Sequence, residues 1–424
     1  MSKTPSPQED FCAIDFGTSN SSLAVCIDNY PTLIALEGKA QNLPTALFYP
    51  ADPGEEVKIG RAAVAAYMDF DEGRLLRSIK SVLGSSLMGS NTELGPGLVM
   101  SYTEIIADFL SRIKYRAEKI TGKKLAKALI GRPAFFVDDD PAKDQEAQDS
   151  LEEAAKLAGF KSVAFEYEPV AAALAFASGS DERPVVEQMA LVADIGGGTS
   201  DFSVIHLTHE GSRILANHGV HVAGTDFDRR VSLASIMPLL GLGATNASGR
   251  AVPSSIYREL ATWHKVNPLY SQKSKAELFT HRDMYGSKLF YTRLSKVLND
   301  RLGHQLLAQA ELAKIHASQM GEFLMRLDDV EKNLVQNVSG QDVDEAIHTE
   351  LDTIAKAALV TIEQAGLKPE QITSLFFTGG STGLSALRQA IAQAVPNAKS
   401  VEGERFESVA FGLGIAAVEK WANE

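Results

Sequence analysis

Cysteine is nearly missing from this chain: among 424 residues only Cys12 and Cys26 occur, both in apolar runs near the N-terminus. Two thiols placed this way exclude a disulfide framework, read as small core residues and fit a reducing compartment. No apolar run reaches the ~18 residues of a membrane span. The opening segment, residues 1–10, carries Pro5 and Pro7 and no apolar signal-peptide core. The expectation is a disordered tail over 1–10 on a cytoplasmic protein without a membrane partner. Positive charge is also scarce, with 41 Lys plus Arg against 54 Asp plus Glu and a net charge of −13. That imbalance repels nucleic acid and anionic lipid at long range, while local geometry can still hold a nucleotide.

What is present is an ordinary globular composition, 45% apolar and 22% charged. A chain of this length exceeds what one core usually serves, so two lobes are expected. The informative pattern is an internal echo. The apolar run ending in Asp15 meets a turn of Gly17, Thr18, Ser19 and Asn20 and returns through Ser22 to Ile27. About 180 residues later, the run ending in Asp194 meets Gly196, Gly197, Gly198 and Thr199 and returns through Asp201 to Leu207. Each unit reads as strand, turn and strand, and two matching units imply a duplicated domain facing itself across a cleft.

Between the copies, residues 103–120 place Ile105, Ile106, Phe109, Leu110, Ile113 and Ile120 at helical spacing. Residues 126–130 read as a buried strand. Residues 138–140 before Pro141 can cap a helix running to about Ala158, with Gly159 as its stop. Pro169 opens an Ala-rich helix over 170–177, suited to close packing. A third glycine turn, Gly379, Gly380, Ser381 and Thr382, follows an apolar strand and precedes a helix over 384–395. The last helix, from Ser408 to about Trp421, contains Gly412 and Gly414, which permit close contact with another helix.

A phosphate chain needs donors with little bulk, and the first two turns offer backbone N–H groups and hydroxyls from two sides. Carboxylates beside phosphate repel it unless a cation intervenes. Asp15 and Asp194 therefore make most sense as holders of Mg²⁺ through water. Either Asp alone would read as a turn or cap residue; their equivalent places in a repeat favour the Mg-nucleotide reading.

The motif from Ile14 through Asp15, Gly17 and Thr18 to Ser21 resembles the first phosphate motif of the Hsp70 family, and Asp194 to Asp201 resembles the second. Further segments agree in order. Arg77 to Gly84 resembles the catalytic-lysine segment, and Pro133 to Phe136 a strand end. Glu168-Pro169 and the alanines after it resemble the crossover helix, and Gly224 to Asp228 and Gly379 to Thr382 complete the set. The resemblance covers about residues 11–418. It implies an α/β fold of duplicated ribonuclease H-like, actin-like ATPase lobes around a central nucleotide cleft. By that resemblance lobe I comprises 11–189 and 405–424, and lobe II comprises 190–404 with an enlarged subdomain at about 229–325.

The same resemblance implies ATP or ADP as ligand, with Mg²⁺ near Asp15, Glu168 and Asp194. It places an attacking water near Lys80, Thr199 and Asp201, with Lys80 neutralising phosphate charge. Nucleotide contacts fall to Asp15, Gly17, Thr18, Ser19, Asn20, Gly196, Gly197, Gly198, Thr199, Gly224, Glu311, Lys314, Gly379, Gly380 and Ser381. The departures lie on the adenosine side. Ile315 and Gly383 stand where the family carries arginines, and Phe406 stands where it carries a carboxylate. Arg132, before Pro133, is a further departure that either faces phosphate or solvent.

By the same resemblance, the expectation is a chain without the Leu-rich linker and peptide-binding domain that follow in the family, as in its YegD-type branch. The expected function is thus a chaperone-related ATPase. An actin-like nucleotide-dependent assembly protein and a small-molecule kinase remain alternatives. The aromatic-rich stretch 240–301, with Tyr257, Trp263, Tyr270, Phe279, Tyr285, Phe290 and Tyr291, reads as core or as a protein-partner surface. His206, His209, His218 and His221, without Cys neighbours, read as hydrogen-bonded or solvated side chains, not a metal site.

Overall fold

The computed structural model describes residues 10–69, 71–137, 140–178, 187–208, 211–246, 248–280, 282–285, 287–401 and 408–421. The tail before Asp10, Asp138, Asp139, His209 and Phe406 lie outside the described residues. Two compact units divide the chain. One takes in the residues up to Val220, Ala357–Thr382 and those from Ala392 onward, and the other takes in His221–Lys356 and Gly383–Ile391.

The first unit is built on two sheets of the same topology. In one, Tyr30–Leu33, Asn20–Ile27 and Asp10–Phe16 form an antiparallel meander, extended in parallel by Leu125–Arg132 and Ser162–Tyr167. In the other, Gly211–Val220, Ser200–Thr208 and Gln188–Ile195 form the meander, extended in parallel by Ser374–Thr378 and Lys399–Val401. The echo in sequence is therefore a repeat in topology. Parallel strands need both faces covered, and the apolar runs Ala-Leu-Val-Ala of 190–193 and Ser-Leu-Phe-Phe of 374–377 are buried throughout.

Helices supply that cover. Tyr102–Thr121 opens with a capping box between Ser101 and Glu104 and buries Ile105, Ile106, Phe109, Leu110 and Ile113 under the first sheet. Ile120, expected on the same stripe, is 57% exposed, because it falls in the last turn, past the end of the sheet-facing stripe. Asp140 caps Pro141–Leu157, and the chain leaves that helix at Gly159 with φ +89°. The Ala-rich helix starts one residue earlier than expected, as Glu168–Ser178.

That helix and Ser408–Trp421 share a core with both sheets, in which Ala171, Ala172, Leu413 and Ala417 meet Ala13, Leu129, Val192 and Phe376. The two helices touch at Gly412, where a Cβ would run into the Ala171 carbonyl, and Gly414 lies against Pro31 in the same way. Close packing is thus the use of both glycines.

The second unit is mainly helical, with a two-stranded ribbon of Glu322–Arg326 and Val335–Ser339. Its aromatic stretch is largely interior. Tyr257 is fully buried and donates to the Leu240 carbonyl at 3.1 Å, Tyr285 is buried, and Phe279 at 59% exposure is the exception. Among the described residues no helix is long and apolar enough to cross a membrane.

Candidate phosphate and cation site

Five of the expected residues converge within the first unit. Lys80 sits in a short 3-10 turn, Ile79–Val82, entered through Ser78 in the left-handed region at φ 56°. Glu168 begins its helix directly after the strand Ser162–Tyr167. Both side chains are buried, and Lys80 Nζ donates to Glu168 Oε1 at 2.6 Å. Gly131, on the neighbouring strand, leaves room for this: a Cβ there would meet Glu168 Cγ at 3.0 Å.

Asp15 and Asp194 occupy equivalent registers, Asp15 opposite Ser22 and Asp194 opposite Asp201 across their hairpins. Burial pushes the Asp15 carboxyl up to about 7, helped by the charge of Glu168 and opposed by Lys80 and a bond from Ser22. Burial also holds Asp194 well above the usual carboxylate range, with Glu168, Asp201 and Asp15 all adding to it and Lys80 opposing. For Lys80, burial disfavours the charge, but Glu168, Asp15 and Asp194 outweigh it and its pKa is raised. Three carboxylates thus feel one ammonium, with Asp201 adding its charge at Asp194, an excess of negative charge that a cation would relieve.

Among the described residues no three His, Cys, Asp or Glu side chains stand close enough to hold a metal ion directly. The carboxylates gathered around one ammonium are a donor set that a hydrated Mg²⁺ would suit, with Asp15, Glu168 and Asp194 as the residues to hold it through its waters.

The glycine turns are braced from outside their own motifs. Thr45, fully buried, donates from Oγ1 to the Gly17 carbonyl at 2.7 Å, has Oγ1 2.8 Å from Ser21 Oγ, and donates its backbone N–H to the Ser19 carbonyl at 2.9 Å. Nothing in the sequence around Thr45 marks it; the hydroxyl matters only because Asn42–Pro44 pairs with the strand after the first turn. In the second turn Gly196 N–H donates to the Thr199 carbonyl at 3.0 Å, and Ser381 Oγ donates to the Gly196 carbonyl at 2.7 Å. Ser381 ties the third turn to the second. Gly379 has φ +82°, and a Cβ there would meet Asp194 Oδ1 at 2.6 Å, so only glycine fits. Gly219, opposite Asp201, is small for the same reason: a Cβ would strike Asp201 Oδ1. Thr18, Asn20, Gly197, Gly198 and Gly380 complete the three turns.

The remaining expected contacts belong to the second unit. Gly224 begins the helix Gly224–Val231 and is buried. Lys314 is buried, pairs with Asp228 at 2.6 Å and lies 3.5 Å from the Gly224 carbonyl, while Glu311 is exposed.

Arg132 does neither of the things expected of it. Its guanidinium is buried, pairs with Asp144 at 2.6 Å, donates to Gln148 and to the Pro133 carbonyl, and lies over the rings of Phe136 and Tyr167. It locks the strand end to a helix. His206 lies 3.5 Å from Glu187.

Twin sheets that share a five-strand, meander-plus-parallel path, each sending an Asp and a glycine turn from its first hairpin, define the α/β fold of the actin-like ATPases. A model of the Hsp70 protein matches residues 11–235, more than half of the chain, and the chain belongs to the Hsp70 family. It is 32% identical over 267 residues to a chaperone protein HscA homolog of Methylobacillus flagellatus, covering 59% of this chain and 40% of the relative. A chaperone protein HscA homolog of Bordetella petrii is 34% identical over 249 residues, 54% of this chain and 38% of its own. The chaperone protein DnaK of Mycoplasmopsis pulmonis is 26% identical over 358 residues, 80% of this chain and 56% of its own. The chain thus spans about two fifths to somewhat over half of the length of these relatives.

Proposed function

We propose that this chain binds Mg-ATP and hydrolyses it to ADP and phosphate, as the nucleotide-driven part of a chaperone-related activity. The observation that carries the reading is the buried Lys80–Glu168 pair set among Asp15, Asp194 and Asp201, with the glycine turns alongside. Backbone N–H groups of residues 17–20 and 197–199 bind phosphate oxygens, and the hydroxyls of Thr18, Ser19 and Thr199 add donors. Lys80, kept charged by its acidic neighbours, neutralises charge that builds on the transferred phosphoryl group. Asp201 and Thr199 orient the attacking water. Bound Mg²⁺ would supply charge neutralisation between the carboxylates and the phosphates. The division into lobes at 189/190 and 404/405, and nucleotide contacts from Gly224, Glu311 and Lys314, belong to the same proposal.

The test is calorimetric titration with ATP, ADP and GTP, with and without Mg²⁺, followed by phosphate release. Magnesium-dependent binding of ATP and slow phosphate release are expected. Absence of binding in the presence of Mg²⁺ removes the proposal.

A further inference from the structure

The second unit carries a pocket of unusual charge. It is lined by Arg229, Arg230, Leu233, Leu242, Ser254 and Arg258 and encloses about 390 Å³, within the range of small-ligand sites. Among the described residues three guanidinium groups line it and no acid does, in a chain whose net charge is −13. Like charges gathered at one concave site repel one another unless an anion joins them.

The donors are not used up by neighbours. Arg230 gives its Nε to Glu350 at 2.5 Å, which leaves the two terminal nitrogens of its fork. Arg229 comes only within 3.7 Å of Asp226, beyond good hydrogen-bonding distance. Arg258, on Ser255–Leu260, has no acidic partner among the described residues. Ser254 precedes that helix but its hydroxyl makes no cap bond.

We propose that this pocket binds a small phosphate monoester. A carboxylate is satisfied by one guanidinium fork, whereas a phosphate dianion presents three oxygens to three forks and a hydroxyl. Leu233 and Leu242 form an apolar wall for the body of the ester. Every lining residue comes from the second unit, none from the three glycine turns, so the site does not depend on the nucleotide reading.

The test uses the full chain and phenyl phosphate as probe. Arginines are modified with phenylglyoxal and the modified peptides are counted by mass spectrometry. Phenyl phosphate should slow modification of Arg229 and Arg258 about fivefold or more, and phenol should not. Calorimetry on an Arg229→Gln, Arg258→Gln variant should show binding weakened by roughly a hundredfold, about tenfold per lost charge-assisted contact. Equal modification rates with and without phenyl phosphate overturn the proposal. So does protection by phenol, or protection by a phosphoserine peptide where phenyl phosphate gives none. The protection experiment needs no substitution at the pocket, so a variant that fails to fold does not blunt it.

Discussion

Burial and the charge of Glu168 raise the Asp15 carboxyl from 3.8 to about 7 in the folded chain. Unfolded, the same group releases its proton near its ordinary value, so across this window the folded state holds more protons. Its contribution to stability is full below about pH 3.8 and is lost as pH rises to about 7, with a slope of at most ~1.4 kcal/mol per pH unit. Urea unfolding in chelator at pH 5 and pH 8 should show this loss in the wild type and a shallower one in Asp15→Asn. Equal pH slopes for the two proteins would contradict the assignment. Magnesium should restore much of the wild type's stability at pH 8 and do little for the variant.

Lys80 is the other residue whose role is sharp. Removing its ammonium should lower phosphate release by roughly 10²-fold or more, and Asp194→Asn should do the same. Lys80→Ala should also cost about 3–5 kcal/mol of stability, because it strands a buried Glu168. Turnover unchanged in both folded variants would remove these residues from catalysis. That Asp15, Lys80 and Asp194 come together was legible in the sequence through the repeat and the family motifs. Thr45 was not, since its hydroxyl reaches Gly17 across 28 positions of chain.

At the scale of elements, local chemistry reads well and tertiary supply reads poorly. Asp140 with Pro141, and Gly159, mark helix ends that the structure confirms within a residue or two. Ile120 and Arg132 misled because burial depends on what lies opposite, a sheet edge in one case and Asp144 in the other. Gly412 was read correctly as a packing residue, and it offers a test of the joint between its helix and Glu168–Ser178. A Cβ there would collide with the Ala171 carbonyl, which is backbone and cannot swing aside. Gly412→Ala should destabilise the chain by about 1–3 kcal/mol despite alanine's better helix propensity. Gly89, where a Cβ meets nothing, supplies the control, and Gly89→Ala should stay within about 0.5 kcal/mol of wild type. Equal midpoints for the two variants in thermal melts would refute the close-approach argument.

At the scale of the molecule, the duplicated sheets explain why two sequence motifs 179 positions apart meet at one cluster of charge. Each Asp ends the first strand of its meander, and the shared helical core holds both sheets in one unit. Family membership adds chaperones as relatives, while the share of those relatives that the chain spans leaves clients and partners to experiment. The two binding proposals can be told apart in this frame, because the three glycine turns and the arginine pocket fall in different units. Hydrogen exchange can read both in one protein, since a ligand that binds only the native state suppresses local opening where it makes contact. Mg-ATP should slow exchange in peptides containing residues 15–20, 194–201 and 379–382, and leave the peptides around Leu242 to Arg258 unchanged. Phenyl phosphate should give the opposite pattern. Protection by Mg-ATP spread evenly over the chain, or centred on the arginine pocket, would mean that the glycine turns are not where nucleotide phosphate binds.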